Sequence, residues 1–412
     1  MNFTPGQTQA LEAIDRLGKS NPNGGGVLVI NGYAGTGKTT LIKAVADQVG
    51  DILVLAPTGK AALRVRDVAF CRTSTIHRWL YVADEDESTG DIYFRPKSLL
   101  EIEHPNFHSL IIDEASMINK EVWQDVLNCT TSLGINVILV GDEFQLPPVE
   151  TAGNDNFTVF STEFDCSERV NLTEVLRQTL ENPIIRAATA LRTGLDYTKE
   201  LSSLPMVDRA KINEAAIDTW SSDGVIICHK NETRHHINGT VRTSLGRILG
   251  IEAKEPILIV KNNYQLDIFN GEVFAVKNVI GSIGFKKVKD KYQNKSCFMD
   301  FVRVELANGD ECIVTQEELN SKADGISTKF INNQSRMLSK PIAKKEGLAK
   351  GIIPHIHANF GYALTCHKSQ GSEWNDVLVL VESSVRFTTF AGRRWLYTAL
   401  TRAKKNVKIC WY

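Results

Sequence analysis

The stretch Val27-Leu28-Val29-Ile30-Asn31-Gly32-Tyr33-Ala34-Gly35-Thr36-Gly37-Lys38-Thr39-Thr40 decides the fold. Its apolar start, with no alternation, reads as a strand buried on both faces of a parallel sheet. From Gly32 to Thr39 it fits GxxxxGK[ST], followed by a stretch with helical character. Glycines in such a loop let backbone N–H groups turn inward around phosphate oxygens. Lys38 adds a point charge for the β- and γ-phosphates, and the Thr39 hydroxyl completes a Mg²⁺ shell. The N-terminus of the following helix adds its partial positive charge, so Gly35, Thr36, Gly37, Lys38, Thr39 and Thr40 are the candidate nucleotide-binding residues. ATP and Mg²⁺ are the cofactors this implies.

Two further strand ends belong with this loop. Leu110-Ile111-Ile112 runs into Asp113-Glu114. Asp113 is the candidate metal ligand, and Glu114 the candidate base that orients and deprotonates a water. The apolar run 137–140 leads into Gly141-Asp142-Glu143-Phe144-Gln145-Leu146-Pro147-Pro148-Val149. Strand ends of an open α/β sheet deliver polar residues to one edge, where Gln145 can sense a γ-phosphate.

Working outward, similar runs recur at 52–55, 225–228, 377–381 and 407–410, separated by segments of helical length. The fold class read from them is α/β, with two P-loop-type halves: residues 1–150, and 151–255 together with 346–412. Residues 256–345 differ. There short alternating strands are broken by Asn270-Gly271, Gly281-Ser282 and Asn308-Gly309, which predicts an inserted β-barrel module with a hairpin at Asn308-Gly309. With 42% hydrophobic and 23% charged residues, the 412-residue chain has material for buried cores. Its net charge of −1 gives no global nucleic-acid signature, though a local basic groove suffices for a translocase. Eight Cys without a CxxC pair read as reduced core thiols. No basic-then-apolar leader is visible, and no apolar run nears the roughly 18 residues of a membrane span. The expectation is a soluble, cytoplasmic protein.

Taken together, these motifs resemble the superfamily 1 DNA helicases of the RecD-like, Dda-like and Pif1-related group. The resemblance runs from about Thr4 to the C-terminus. It is carried by Thr4-Pro5-Gly6-Gln7, Ala56-Pro57-Thr58-Gly59-Lys60-Ala61-Ala62, Ser74-Thr75-Ile76-His77, Gly141 to Val149, Leu172 to Arg177, Tyr362 to Glu373 and Tyr397 to Lys404. Tyr264 to Gly271 resembles the segment opening an SH3-like domain in that group. The resemblance implies two RecA-like domains and a bacterial or phage origin. It implies ATP-driven 5′→3′ movement on single-stranded DNA and opening of a duplex fork. A role in replication, recombination or repair follows from it, with proteins of those pathways as partners and the monomer as the working unit. Gln7 then reads adenine, and Gly371 and Glu373 meet the nucleotide, Glu373 at the ribose. Arg177 and Arg402 are arginine fingers, each worth roughly 10³–10⁵ in rate.

Pro57, Thr58, Thr75, His77, Thr365, His367 and Lys368 lie on loops suited to phosphate contacts, which position a strand without reading its sequence. Residues 81–98 form an acidic, turn-rich excursion with Tyr93 and Phe94 behind its tip. In the related helicases the matching region is a hairpin pin that splits the duplex; otherwise it is a solvated surface hairpin. Lys286-Lys287-Val288-Lys289-Asp290-Lys291 is either a solvated loop or a contact for phosphates or an acidic partner. Rival readings are a nucleotide switch that does not unwind, a RecD-like subunit of a nuclease complex, and an RNA motor. Replacing Lys38 by Ala is expected to abolish nearly all ATP turnover while leaving the circular dichroism spectrum unchanged; turnover within a few-fold of the parent would refute the P-loop assignment.

Overall fold

The computed structural model describes residues 3–49, 52–85, 92–102, 107–147, 157–174, 182–222, 224–263, 265–289, 296–320, 328–348 and 352–412. Each of the seven apolar runs becomes a strand. The first sheet has six, in the order Arg72–Thr75, Leu53–Ala56, Ser109–Ile112, Asn136–Gly141, Val27–Gly32, Glu168–Leu172, and every neighbouring pair is parallel. The four inner strands read as largely apolar runs because both their faces are covered. Leu28 and Ile30 point to the face packed by helices Pro5–Ser20, Lys38–Val49 and Gly59–Ala69. Val27 and Val29 point to the other face, against Trp123, Val126 and Cys129 of helix Lys120–Ser132.

The second parallel sheet has the order Ala363–Thr365, Val225–Cys228, Trp374–Val381, Ala403–Trp411. Helices Ile212–Ser221 and Asn231–Ser244 cover one face. Helices Pro183–Thr193 and Phe390–Leu400 cover the other. Both sheets have the parallel, doubly covered build of RecA-like domains.

Between them lies a five-stranded antiparallel sheet, Glu311–Thr315, Ser296–Leu306, Val273–Lys289, Pro256–Ile259, Ala358–Phe360. The hairpin expected at Asn308-Gly309 is present, with Gly309 at φ 90°. An isolated bridge between Ile313 and His355 brings the first strand of this order against the segment ahead of the last, so the sheet curls back on itself. Two features depart from the sequence reading. The final strand, Ala358–Phe360, comes from beyond residue 345. The module also holds an 18-residue helix, Thr328–Lys345, where only strands and turns were expected. Its Ile331 and Ala343 pack on Met299, Phe301 and Ile313, but buried Ser335 and Ser339 share its inner face and dilute the apolar period. Lys286 and Lys287 lie on the long strand Val273–Lys289, not on a loop.

The excursion at 81–98 is an antiparallel hairpin of Tyr81–Glu85 with Ile92–Pro96; its tip lies outside the described residues. The Tyr81 hydroxyl anchors its base by donating to Asp125 Oδ2 at 2.6 Å. Among the described residues no helix is long and apolar enough to cross a membrane. The fold makes central-strand packing the main support of the first sheet. Leu55→Ala, at a side chain with 0% exposure, should cost about 2–5 kcal/mol. A melting temperature lower by several degrees, read by differential scanning calorimetry, is the expected result.

Candidate nucleotide and nucleic-acid site

The loop after Val27–Gly32 turns on Gly35 and Gly37, at φ 80° and 78°. At φ 78° Gly37 holds a backbone conformation that favours glycine, and a Cβ there would stand 2.5 Å from Gln7 Nε2 and push that amide aside. Lys38 Nζ donates to the carbonyl oxygens of Gly32 (2.7 Å) and Tyr33 (3.1 Å), which holds the ammonium inside the loop. Thr36 is buried and its hydroxyl donates to Tyr33 O at 2.9 Å. Thr39 and Thr40 sit in the first turn of Lys38–Val49, half-buried and exposed respectively. Gln7 is buried beside this loop. Its Oε1 accepts from Thr4 N, completing a capping box, and its Nε2 donates to Thr36 O at 3.0 Å.

Asp113 and Glu114 follow the strand Ser109–Ile112, and both are buried. Glu114 is left-handed (φ 51°), a strained backbone for a residue with a side chain. Burial, and then the charge of Glu114, raise the Asp113 pKa above the ordinary carboxylate range. Glu114 Oε2 and Gln145 Oε1 are buried without a hydrogen-bond partner. A buried acceptor left unpaired costs about 1–3 kcal/mol. Beside a phosphate-type loop, this donor-poor carboxylate pair fits a hydrated cation.

The second lobe closes over this edge. The Tyr397 hydroxyl accepts from Ala34 N (2.9 Å) in the P-loop and donates to the fully buried Asp142. Arg192 pairs with Asp142 and Glu143, both at 2.6 Å, and lies 3.7 Å over the Tyr33 ring. Arg394 donates to the carbonyl oxygens of Glu143 and Gln145. Thr398 Oγ1 accepts from Leu146 N, and Gln370 Nε2 donates to Leu146 O at 2.8 Å. Arg402, by contrast, is buried within its own lobe, donating to Thr398 O, Ser372 O and Thr401 Oγ1. Arg177 lies outside the described residues. Glu373 makes an ion pair with Arg64 of the first lobe at 2.8 Å.

The loops singled out for nucleic acid are largely helix N-termini. Thr58 caps Gly59–Ala69 and Thr75 caps Ile76–Leu80, each hydroxyl accepting a backbone N–H. Thr365 precedes Cys366–Ser369 without a side-chain cap bond. Such ends favour anions. The two lobes meet along this line, with Pro57 beside the Thr58 turn. A Cβ on Gly371 would stand 3.0 Å from Thr58 Oγ1, and one on Gly59 would overlap the ring of Phe269. Burial lowers the pKa of Lys60 to about 8, and burial with Arg234 does the same to Lys368. Burial also lowers that of His367. His77 stacks against Tyr81 (5.2 Å) and meets Phe94 edge-on (6.2 Å), so it braces the hairpin base. Phe94 is 47% exposed, and the side chain of Tyr93 lies outside the described residues.

Comparison with known proteins agrees with this geometry. Residues 2–212, just over half the chain, match the AAA domain family, and residues 360–410 match the UvrD-like helicase C-terminal domain. The chain belongs to the superfamily 1 helicases of the RecD-like and Pif1-related group. It is 30% identical over 388 residues to the ATP-dependent RecD2 DNA helicase of Deinococcus radiodurans, across 92% of this chain and 46% of that protein. It is 30% identical over 199 residues to the ATP-dependent DNA helicase dda of Enterobacteria phage T4, across 47% of this chain and 43% of that one. The chain thus spans about half the length of these curated relatives. Its fold matches that of a Pif1 helicase from Bacteroides solved with ADP-AlF3 and single-stranded DNA, at TM-score 0.59 and 19% identity, covering 99% of this chain and 92% of that one.

For this superfamily 1 chain, sequence reasoning missed Arg64, Arg192, Arg394 and Tyr397 as individual residues. Tyr397 opens a quoted motif and Arg394 lies just ahead of it, but nothing in the sequence tells which side chain crosses a cleft. Arg192 closes an unremarkable amphipathic helix. One electrostatic consequence is testable. An acid whose folded pKa exceeds its unfolded pKa loses stability as pH rises from the unfolded value through the folded one. Asp113→Asn removes that penalty. Without nucleotide or Mg²⁺, it should raise stability at neutral pH by on the order of 1 kcal/mol, and the gain should vanish below the ordinary carboxylate pKa of about 3.9, as followed by thermal melts at both pH values.

Proposed function

We propose that the protein is an ATP-dependent DNA helicase that moves 5′→3′ along single-stranded DNA and opens duplex ahead of it. The observation that carries this reading is Glu114 Oε2, buried and unpartnered beside Asp113 and the Lys38 loop, at a cleft whose far wall supplies Tyr397 and Arg192. Lys38 holds the transferring phosphoryl group, Thr39 and Asp113 hold Mg²⁺, and Glu114 orients the attacking water. Mg²⁺, when bound, would supply charge neutralisation for the transferring phosphoryl group. Gln145 senses the γ-phosphate, and Arg177 and Arg402 serve as trans-acting cations once the lobes rearrange. Gln7 and Glu373 face the base and ribose after exchanging their present partners.

On this reading the domains are residues 1–150, residues 151–255 with 346–412, and an inserted SH3-like module at 256–345. The single strand runs past Thr58, Thr75, Thr365 and Lys368, held by phosphate contacts and therefore indifferent to sequence. The hairpin 81–98 is the separator. Its braced base supports this: His77, Tyr81 and Phe94 pack together, and a stiff element is what a duplex must run into. Each base-pair step is worth on the order of 1.4 kcal/mol, and one stacked aromatic roughly 1–3 kcal/mol, so a ring at the fork can hold one step open.

Unwinding of a 5′-tailed duplex but not a 3′-tailed one, in the presence of ATP, is expected. Replacing residues 84–94 with a short Gly-Ser turn should abolish unwinding and leave ATP turnover stimulated by single-stranded DNA within a few-fold of the parent. Parental unwinding by the shortened protein would move the separator elsewhere. Absence of DNA-stimulated turnover in the parent would favour a nucleotide switch.

A further inference from the structure

Outside the motor cleft, one cluster of side chains is built in the manner of a metal centre. Glu318 lies on the short helix Gln316–Leu319, directly after the strand Glu311–Thr315. His355 and His357 stand two apart in the segment entering Ala358–Phe360, so extended backbone sends both rings to one side. Ile356 between them is buried and hydrogen-bonds back to Ile313. His357 Nδ1 is 2.7 Å from Glu318 Oε1, and His355 Nε2 is 3.3 Å from Glu318 Oε2. One ligand atom from each of the three residues falls within 4.8 Å of the others.

Two observations argue for a cation at their centre. The first is His355. Its side chain is 3% exposed, yet neither ring nitrogen makes a hydrogen bond of good geometry. Buried imidazoles are normally satisfied, so a ring left this way is directed at something else. The second is the surround. His357 is held on both sides, its Nε2 3.1 Å from Asn332 Oδ1 and its Nδ1 2.7 Å from Glu318 Oε1, so the orientation of its ring is fixed. Thr315 Oγ1 donates to Glu318 Oε2 at 2.7 Å and orients the carboxylate. An outer ring of this kind, an acceptor on the far side of the imidazole and a hydrogen bond to the carboxylate, accompanies metal ligands.

We propose that Glu318, His355 and His357 form a site for a divalent ion of the zinc class, structural in role and independent of the nucleotide. Two imidazoles and one carboxylate suit Zn²⁺ rather than Mg²⁺ or Ca²⁺, which take oxygen ligands. Tetrahedral bonds of about 2.0–2.2 Å set ligand atoms roughly 3.3 Å apart, a spacing that an ion would reach by drawing together three side chains whose ligand atoms already lie within 4.8 Å of one another. The ion ties the helix after Glu311–Thr315 to the segment through which the chain leaves the antiparallel sheet. Asn359 Nδ2, donating to Glu318 O at 2.6 Å, secures the same junction. Four residues further on, the chain enters the second parallel sheet at Ala363–Thr365.

The test uses the full chain, purified from zinc-supplemented medium and analysed by inductively coupled plasma mass spectrometry. About one zinc per chain is expected. His357→Ala and Glu318→Ala should each lose most of it, while the exposed His108→Ala keeps it. Asn332→Ala, which spares all three ligands, should weaken Zn²⁺ affinity by about 10–100-fold in competition with a chromophoric chelator. Stripping the parent should lower its melting temperature, with recovery on adding Zn²⁺ and none with Mg²⁺. Should the ligand variants fail to fold, Co²⁺ added to the stripped parent decides the matter: tetrahedral visible absorption, removed by Zn²⁺, is expected. A parent that retains no zinc and shows no Co²⁺ spectrum overturns the proposal, as does zinc content unchanged in soluble His357→Ala. In either case the cluster is an imidazolium–carboxylate pair.

Discussion

One phenol joins the two halves of this molecule. The Tyr397 hydroxyl takes a backbone N–H from the phosphate loop and gives its own proton to Asp142, so the loop, the third strand end of the first sheet and the helix Phe390–Leu400 share one hydrogen-bonded point. Because Tyr397 and Asp142 are buried, neither can exchange its partner for water at low cost. Arg192 and Arg394 reinforce the point from either side, meeting side chains and carbonyl oxygens of residues 142–145. Separation of the lobes would strand a buried carboxylate and several carbonyls together. Movement of one lobe on the other therefore has to trade these bonds for others, and an anion bound at the loop is the natural competitor for the Ala34 N–H.

The same trade appears in other groups of the cleft. Gln7 spends its amide on a helix cap and a loop carbonyl, and Glu373 spends its carboxylate on Arg64. Lys38 leans on two carbonyl oxygens of its own loop. On the proposed function, each of these contacts is one that a bound nucleotide would displace. Glu114 Oε2 and Gln145 Oε1 differ: these buried oxygens have no partner to give up.

What sequence made legible follows a physical line. The seven apolar runs declared themselves because strands covered on both faces leave no room for polar alternation, and the P-loop because few other arrangements of glycine and lysine follow a strand. Asp113 and Glu114 were readable as a strand end. The helix Thr328–Lys345 was not, since Ser335 and Ser339 occupy its inner face where a periodicity search looks for leucine or isoleucine. Nor were Arg192 and Tyr397, whose importance arises from reach across the cleft rather than from local pattern. Thr58 and Thr75 were noticed as hydroxyl donors; the structure adds that each opens a helix, so the backbone dipole and the side chain point the same way.

The antiparallel module enters and leaves through neighbouring strands. Pro256–Ile259, its first, is paired with Ala358–Phe360, its last, at Ile257–Phe360, Leu258–Asn359 and Ile259–Ala358. Roughly a hundred residues thus hang from a two-stranded stem whose ends are fixed side by side. Loop-closure entropy grows only slowly with the length enclosed, so what hangs from such a stem can lengthen, shrink or be exchanged without rethreading the sheet beneath. The stem is in effect a socket, and the part of the molecule freest to diverge between relatives is plugged in next to the strand that leads to Thr365 and Lys368.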